Sequence, residues 1–309
     1  MNLRWNNQEF VLEKKFLPHT FIALLVVHAL GILGIVLAIS WDTSGGLLWY
    51  LVGSFGVMYF FSGLGITAGY HRYFTHRGKG FELKSPIKVL FAIMGSLAWE
   101  QNLLHWVPMH WIHHANADKE GDPHSPIVGF GESGWERAKG FWWAHIGWLI
   151  SPYVYPKAMI NQFRASLLHQ PVVMFQAKTH HLWAFGGVFL PAVIAYQFWG
   201  TQGFVLTLLN VGFLRIICVW NATWFINSGT HMWGERPNWL QDFSTNLFLF
   251  LFALGEAGHN NHHADPQNPF HGKGWQDPTG CVLRVLCNLG LATIEERRQT
   301  RDQISSGAM

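Results

Sequence analysis

Four long apolar runs constrain the fold of this 309-residue chain more than any other feature. They cover residues 21–40, 47–70, 182–203 and 204–226. Each run is close to the roughly 20 residues that a helix needs to cross a bilayer. Inside the hydrocarbon layer the backbone must satisfy its hydrogen bonds internally, so runs of this kind are expected to be helices. The links at 41–46 and at about 200–203 are short, which pairs the runs into two helical hairpins.

The composition agrees with a lipid environment. Only 13% of the residues are charged, whereas a soluble domain has about 25%. The net charge of +3 is too small to indicate a nucleic-acid partner. Cys218, Cys281 and Cys287 form no Cys-x-x-Cys pair, so neither a disulfide framework nor a cysteine metal site is predicted.

The basic residues predict the orientation. Every Lys and Arg except Arg215 lies in residues 1–20, 71–181 or 227–309, which four spans would place on one side. The positive-inside rule makes that side cytoplasmic, and both termini lie there. No signal-peptide cleavage pattern, repeat or linker is present. We therefore predict one domain over 1–309: an all-α integral membrane protein with four transmembrane helices and a cytoplasmic helical cap formed by 71–181 and 227–309.

Two further apolar stretches, 89–99 and 243–255, are too short to span a bilayer. Both are interpreted as interfacial helices.

Histidines cluster on the predicted cytoplasmic side. The segments "HWIHH" at 110–114 and "HNNHH" at 259–263 each place three imidazoles at i, i+3 and i+4, on one face of a helix. The segment "HRYFTH" at 71–76 has its two histidines at i and i+5, which do not share a face of an α-helix. That spacing suits ligands of two different metals, or a helix that ends there. Asn227 and His231 are again four residues apart.

This pattern predicts a metal centre. A single cluster is more often a solvated helix face, but several clusters on one side of a membrane require a cation to balance so many neutral rings. Nine imidazoles are too many for one metal and suit two. Imidazole binds iron, zinc, copper and nickel, so the residues alone leave the metal open.

These motifs resemble the membrane fatty acid desaturase family, of the Δ9 acyl-CoA and acyl-lipid type. The segments that carry the resemblance are "GITAGYHRYFTHR" (65–77), "HHANADKEGDPHSP" (113–126), "GFWWAHIGWL" (140–149), "NATWFINSGTH" (221–231) and "LGEAGHNNHHADP" (254–265). The resemblance implies a non-haem di-iron centre in the cytoplasmic cap, with Asn227 holding one iron through water. The implied ligands are His71, His76, His110, His113, His114, His231, His259, His262 and His263.

The implied activity is the O2-dependent desaturation of a saturated fatty acyl chain, of the Δ9 type, carried as acyl-CoA or acyl-lipid. Two iron ions are the expected cofactor, and zinc can replace them in purified protein. The chain has no haem signature, cysteine cluster or dinucleotide fingerprint. Electrons are therefore expected from a separate ferredoxin or b-type cytochrome.

Further residues are expected around the metals and the substrate. Glu256, Asp122, His124 and Asp265 are predicted to orient ligand imidazoles. Gln101, Asn102, Trp106 and Trp224 match positions where family members bind or bend the substrate near the cytoplasmic surface. Tyr59 lies 12 residues before His71, roughly 18 Å along a helix, and is the predicted end of the acyl tunnel with Phe55 behind it.

Three further points concern Arg215, five other histidines and the acyl carrier. Arg215, inside a span, is either part of a structural ion pair or a tunnel residue. His105, His169, His180, His181 and His271 are expected at the surface or the interface. Pro108 and Met109 stand where animal acyl-CoA enzymes have a charged pair, which leaves the acyl carrier open.

Two other functions compete with desaturation. A membrane di-iron fatty-acid or alkane hydroxylase would use similar clusters and yield an alcohol instead of an alkene. A metal transporter or sensor would place histidines along the spans, whereas the candidate ligands lie at span ends and in the cap.

Overall fold

The computed structural model describes residues 1–43, 45–78, 80–247 and 251–295, and these are mostly helical. The helices are α1 (Pro18–Ser40), α2 (Gly45–Leu64), α3 (Ser85–Ser96), α4 (Leu103–Asn116), α5 (Gly134–Trp142), α6 (Trp148–Ile150), α7 (Lys157–Leu168), α8 (Pro171–Thr207), α9 (Arg215–Gly229), α10 (His259–Ala264) and α11 (Pro278–Asn288). Three π-helical segments join them, at Gly65–Thr75, Trp143–Gly147 and Leu208–Leu214, and a 3₁₀ turn covers Gly274–Gln276. Two antiparallel strand pairs complete the fold: β1 (Asn2–Trp5) with β2 (Gln8–Val11), and β3 (Phe81–Leu83) with β4 (Ala292–Ile294).

In the part of the chain that the structure describes, three helical segments are long and apolar enough to cross a membrane: Pro18–Ser40, Gly45–Thr75 and Pro171–Gly229. Large apolar side chains on their outer faces are exposed, among them Ile22 and Leu25 on α1 and Leu190 on α8. An apolar surface of this extent is typical of contact with lipid. The predicted helical class and the first two predicted runs agree with this arrangement.

The third segment is bent back on itself. Its 59 residues would extend roughly 90 Å as a straight helix, about three times the hydrocarbon thickness. At Gly200 the backbone leaves the helical region, with φ 57° and ψ −146°. A Cβ placed on Gly212 would lie 2.9 Å from the side chain of Val188, so the two halves pack against each other. The bend falls at the predicted link between 182–203 and 204–226.

The end of the second apolar segment changes from α-helix to π-helix at Gly65. In a π-helix the hydrogen bonds run from residue i+5 to residue i. The N–H of His76 donates such a bond to the carbonyl of His71 at 3.1 Å. Residues five apart are therefore brought onto one face. Of the two alternatives predicted for this spacing, ligands of two different metals disagree with the shared face. The other, a helix that ends there, agrees with the structure, because the π-helical segment ends at Thr75, directly before His76.

Helix α3 packs against this π-helical segment at very short range. A Cβ on Gly65 would lie 2.1 Å from the backbone nitrogen of Gly95. A Cβ on Gly95 would lie 2.1 Å from the ring of Tyr70. The predicted run 89–99 falls largely in α3, and its inner face, including Phe91, is buried against the core.

The predicted helix at 243–255 is not formed in its described part. Residues 243–247 are extended around Asn246, whose backbone exchanges hydrogen bonds with Glu235, and residues 251–255 are turns. Leu254 and Gly255 have φ of 50° and 100°, which a right-handed helix does not accommodate. Residues 248–250 lie outside the described part of the chain.

Arg215 is fully buried and bound by neutral groups. It donates hydrogen bonds to Ser62 Oγ at 3.0 Å, to the Leu97 carbonyl at 2.5 Å and to the Val211 carbonyl at 3.2 Å. No carboxylate lies among its contacts in the described residues. It ties α9 to α2 and to the end of α3, so neither of the two expected roles describes it.

The contact between Gly65 and α3 gives a prediction for stability. Gly65→Ala forces a methyl group into backbone atoms, and overpacking of this kind costs about 1–3 kcal/mol or more. We expect a clearly lower midpoint of thermal unfolding in detergent. The matched control is Gly56→Ala on α2, where a Cβ meets nothing within 4 Å and helix propensity favours alanine. Equal midpoints for the two variants would contradict the packing described.

Candidate metal centre

The structure brings all nine predicted histidines together in two adjacent groups. In each group, one ring nitrogen from every residue lies within 4.8 Å of all the others. The larger group contains His71, His76, His110, His114 and His262, and the smaller contains His113, His231, His259 and His263. Each group draws its members from several elements: the π-helical segment, α4, the end of α9 and α10. Helical spacing explains the two His-x-x-His-His segments, because each puts three rings on one face.

The ring nitrogens converge at short distances. In the larger group, His262 Nε2 lies 3.0 Å from His71 Nε2 and 3.0 Å from His114 Nε2. His114 Nε2 is 3.1 Å from His110 Nε2. In the smaller group, His231 Nε2 and His259 Nε2 are 3.0 Å apart.

Buried carboxylates bind the opposite nitrogen of four of these rings. Glu256 lies 2.6 Å from Nδ1 of His71, and Asp118 lies 2.7 Å from Nδ1 of His231. Asp122 and Asp242 are each 3.1 Å from the Nδ1 of His113 and His263, respectively. A carboxylate accepts, so Nδ1 of each ring carries the hydrogen and Nε2 presents a lone pair.

These lone pairs fit metal ions. Nε2 of His113 and Nε2 of His263 are buried without a hydrogen-bond partner. Two lone pairs facing each other at 3.0 Å repel unless a cation lies between them. Imidazole nitrogens bind a metal such as zinc at about 2.0–2.1 Å, and two such ligands at right angles are about 2.9 Å apart. The observed spacing of 3.0 Å between His231 and His259 matches that arrangement.

The charge states also suit metal binding. Burial, followed by the proximity of other rings, lowers the pKa of His110, His113 and His259 well below the usual value. These rings are neutral at pH 7 and can act as ligands. Burial alone would raise the pKa of Glu256, but Arg72 and His71 hold that pKa well below its usual range. The Glu256 carboxylate is therefore ionised.

The predicted orienting residues divide into two sets. Glu256 and Asp122 contact ring nitrogens, as given above, and His124 stacks on His113 with ring centroids 4.4 Å apart. Asp265 directly follows the last residue of α10, and its orienting role stays a prediction. Sequence analysis missed Asp118 and Asp242. Asp118 lies inside the "HHANADKEGDPH" segment, four residues after His114, which is the one sequence signal for it.

His271 is buried beside the centre, so its predicted surface position is wrong. Its Nδ1 lies 3.2 Å from Glu256 Oε2, and its ring is 4.6 Å from that of His262. The backbone N–H of His271 donates to Asp277, which also pairs with Arg72 at 2.9 Å. His180 is likewise buried, where Gln176 on α8 lies 3.1 Å from its Nδ1.

Two cavities meet at the centre and share four lining residues, Trp106, His110, Thr223 and Asn227. We call them the inner and the outer cavity. The inner cavity also touches His71 and His259 and extends between α2 and α9 to Tyr59 and Phe252. There the hydroxyl of Tyr59 donates a hydrogen bond to the Phe252 carbonyl at 2.7 Å. The outer cavity extends from His110 to the start of α1.

The structure places four of the five predicted substrate residues on these cavities. Tyr59 lines the inner cavity, Gln101 and Trp224 line the outer cavity, and Trp106 lines both. Asn102 precedes the first residue of α4 and lines neither. Phe55 stacks on Tyr59 with ring centroids 6.3 Å apart. Asn227 lines both cavities, as His110 does.

A helical protein with membrane-length apolar segments and two buried imidazole groups beside a narrow apolar cavity defines a class, namely a membrane protein with a histidine-rich metal centre. The sequence model of the fatty acid desaturase family matches residues 47–272, which include all nine histidines. The chain belongs to this family, and the family resemblance predicted from its motifs is confirmed.

Individual relatives agree with this assignment. The chain is 34% identical to an sn-1 stearoyl-lipid 9-desaturase of Anabaena variabilis, over 79% of this chain and 84% of the relative. It is 35% identical to an icosanoyl-CoA 5-desaturase of Limnanthes douglasii, over 94% and 78%. It is 32% identical to an acyl-CoA desaturase of Cyprinus carpio, over 80% and 73%. Carrier and double-bond position differ among these relatives.

The carboxylate contacts give a prediction for metal binding. In Asp118→Asn the His231 ring loses its charged acceptor, and such a loss weakens metal binding about 10- to 100-fold. We expect metal retained after timed exposure to a chelator to fall towards about one ion per chain, by elemental analysis. Glu132→Gln, which changes an exposed carboxylate far from any ring contact, is the control. Equal retention in both variants would show that Asp118 does not support a metal ligand.

Proposed function

We propose that this protein catalyses the O2-dependent desaturation of a saturated fatty acyl chain at a di-iron centre held by the nine histidines. One observation carries the proposal: His110 belongs to the larger imidazole group and also forms the wall shared by the inner and outer cavities. A chain that passes from one cavity to the other is thereby brought next to the metal position. Asn227, on the same wall, is the proposed ligand through water.

The reaction does not depend on an acid or a base that faces the cavity. The hydrogens of adjacent methylenes have no usable acidity, so proton transfer to a side chain cannot remove them. Bound iron supplies the oxidising chemistry with O2. The chain's own residues hold the metals through neutral rings, orient those rings through carboxylates, and exclude water with an apolar cavity wall.

The cavities suggest how an acyl chain is placed. The polar end occupies the outer cavity near Gln101, the chain bends at Trp106 beside His110, and the methyl end lies in the inner cavity. Trp106 stacks on His110 with ring centroids 5.0 Å apart, which holds the indole at the bend. The inner cavity ends at Tyr59, so its length limits the chain beyond the new double bond. A Δ9 position fits a mid-chain bend.

The membrane arrangement is part of the proposal. We propose four spans in a bilayer, with the bent segment Pro171–Gly229 contributing two of them, and one domain over 1–309. Both termini and the metal centre lie on the cytoplasmic side, as the distribution of basic residues favours. A separate ferredoxin or b-type cytochrome delivers the electrons. Zinc occupies the sites when iron is limiting.

Product analysis tests the activity. In cells that produce the protein, saturated chains should gain one double bond, located by gas chromatography–mass spectrometry of fatty acid methyl esters. His262→Ala, which removes a central ring of the larger group, should abolish the product and lower the metal content. Hydroxylated chains in place of alkenes would show that the protein is a hydroxylase.

Tyr59 provides a test of the inner cavity. Tyr59→Ala opens its end, so we expect the preference to shift towards saturated chains longer by about two carbons or more, with unchanged metal content. Tyr59→Phe removes only the hydrogen bond to Phe252 and should keep the original preference. Phe61→Ala, an exposed aromatic on the same helix, controls for loss of helix packing. A folded, metal-loaded Tyr59→Ala enzyme with the original chain-length profile would remove Tyr59 from the tunnel.

A further inference from the structure

The outer cavity opens beside a membrane-length helix. It has a volume of about 330 Å³, and α1 contributes five of its lining residues from the first three turns: His19, Thr20, Ala23, Leu24 and Val27. Ile22 and Leu25 on the outer face of the same turns are 58% and 54% exposed. An apolar helix face of this kind lies against lipid, so the cavity adjoins the bilayer at the start of α1.

The lining of the outer cavity carries no cation. None of its lining residues is Lys or Arg, and its single carboxyl group belongs to Glu100. A coenzyme A group carries a pyrophosphate and a further phosphate. Proteins bind such groups with several Lys or Arg side chains.

Glu100 is held in the cavity by its neighbours. Oε2 accepts a hydrogen bond from Trp106 Nε1 at 3.2 Å, whereas Oε1 is buried without a hydrogen-bond partner. The residues on either side, Trp99 and Gln101, have φ of 60° and 74°, a left-handed conformation that is unfavourable for residues other than glycine. The indole N–H of Trp99 donates to the Ala184 carbonyl at 2.7 Å, which fixes this strained turn.

The protonation state of Glu100 allows it to donate a hydrogen bond to a neutral ligand. Burial raises the pKa of Glu100 to about 7, so a large fraction carries a proton at neutral pH. A protonated carboxyl group donates a hydrogen bond, and its natural acceptor is a carbonyl oxygen. The ionised form would repel an anionic head group.

We infer that the acyl substrate is an ester of a membrane glycerolipid, which enters the outer cavity from the bilayer beside α1 and presents its ester carbonyl to Glu100. This inference rests on the proposed desaturase function and adds the acyl carrier to it.

A competition assay distinguishes the carriers. The purified, iron-loaded protein in nanodiscs receives phosphatidylcholine with a ¹³C-labelled stearoyl chain at sn-1 together with stearoyl-CoA and stearic acid that carry deuterium only at the terminal methyl group, away from the C–H bonds that desaturation breaks. A ferredoxin with its reductase supplies electrons, and mass spectrometry reads the label in the unsaturated product. We expect the ¹³C label in a lipid-linked product. An unsaturated product that carries deuterium in excess would overturn the inference while the desaturase function stands. No unsaturated product from any substrate would show that the proposed function fails, and the inference with it.

Variants of Glu100 test the carbonyl contact. Glu100→Gln keeps a donor and should retain turnover of the lipid, whereas Glu100→Leu should raise KM for the lipid roughly three- to tenfold, the range for one hydrogen bond. Metal content should be the same in both. Glu132→Gln is the control for removal of a surface carboxylate. Equal KM values for the Gln and Leu variants would exclude the contact, and a lower KM of either variant for stearoyl-CoA than for the lipid would contradict the carrier.

Discussion

The convergence of imidazole lone pairs in a dry interior is the interaction on which the rest of the structure depends. The Nε2 atoms of His71 and His262 lie 3.0 Å apart, and Nδ1 of His262 is buried without a hydrogen-bond partner. If His262 donates from Nε2 to His71, its own Nδ1 lone pair stays unsatisfied, so packing these rings as ordinary neutral side chains is costly. A metal ion would bind these lone pairs and remove this cost. On the opposite side of four rings, a carboxylate accepts the Nδ1 hydrogen: those of His71, His113, His231 and His263. Glu256 and Arg72 then compensate each other through a 2.9 Å ion pair, so no isolated charge remains at that position.

The backbone geometry positions the histidine rings as much as their spacing in the sequence does. A regular α-helix would turn His76 away from His71, and the π-helical segment turns it back. The same segment requires close contact with α3, where glycine is needed on both sides. This departure from α-helical geometry at a functional site is unfavourable in two ways. The backbone hydrogen bonds have poorer geometry, and the close contact requires glycine in place of larger residues. Metal binding at the centre would offset both.

Regular periodicity was sufficient to predict most of the fold and most of the centre. Hydropathy located the apolar runs, and the i, i+3, i+4 spacing placed six of the histidines at one centre, because both signals follow from α-helical repeats. The spacing did not predict that each segment divides its three rings between the two groups. The failures fall where structure is irregular. The pairing of His71 with His76 depends on a π-helix, Asp242 lies in a non-helical segment with no periodic pattern, and His271 is buried by a turn that Asp277 holds. The described parts of the apolar stretch 243–255 show that hydrophobicity alone does not distinguish a helix from a non-helical chain with positive φ angles at Leu254 and Gly255.

The sequence separation of the ligands has a consequence for biosynthesis. His71 and His262 are 191 residues apart, and β3, which follows the first histidine pair, is completed by β4 near the end of the described chain. During translation the first apolar segments are inserted long before α10 is made. His71 and His76 are therefore made well before His262, the residue that completes their group. Contacts between residues this far apart in sequence form late in folding. Neither imidazole group is complete until α10 has been made, because His262 belongs to one group and His259 and His263 belong to the other.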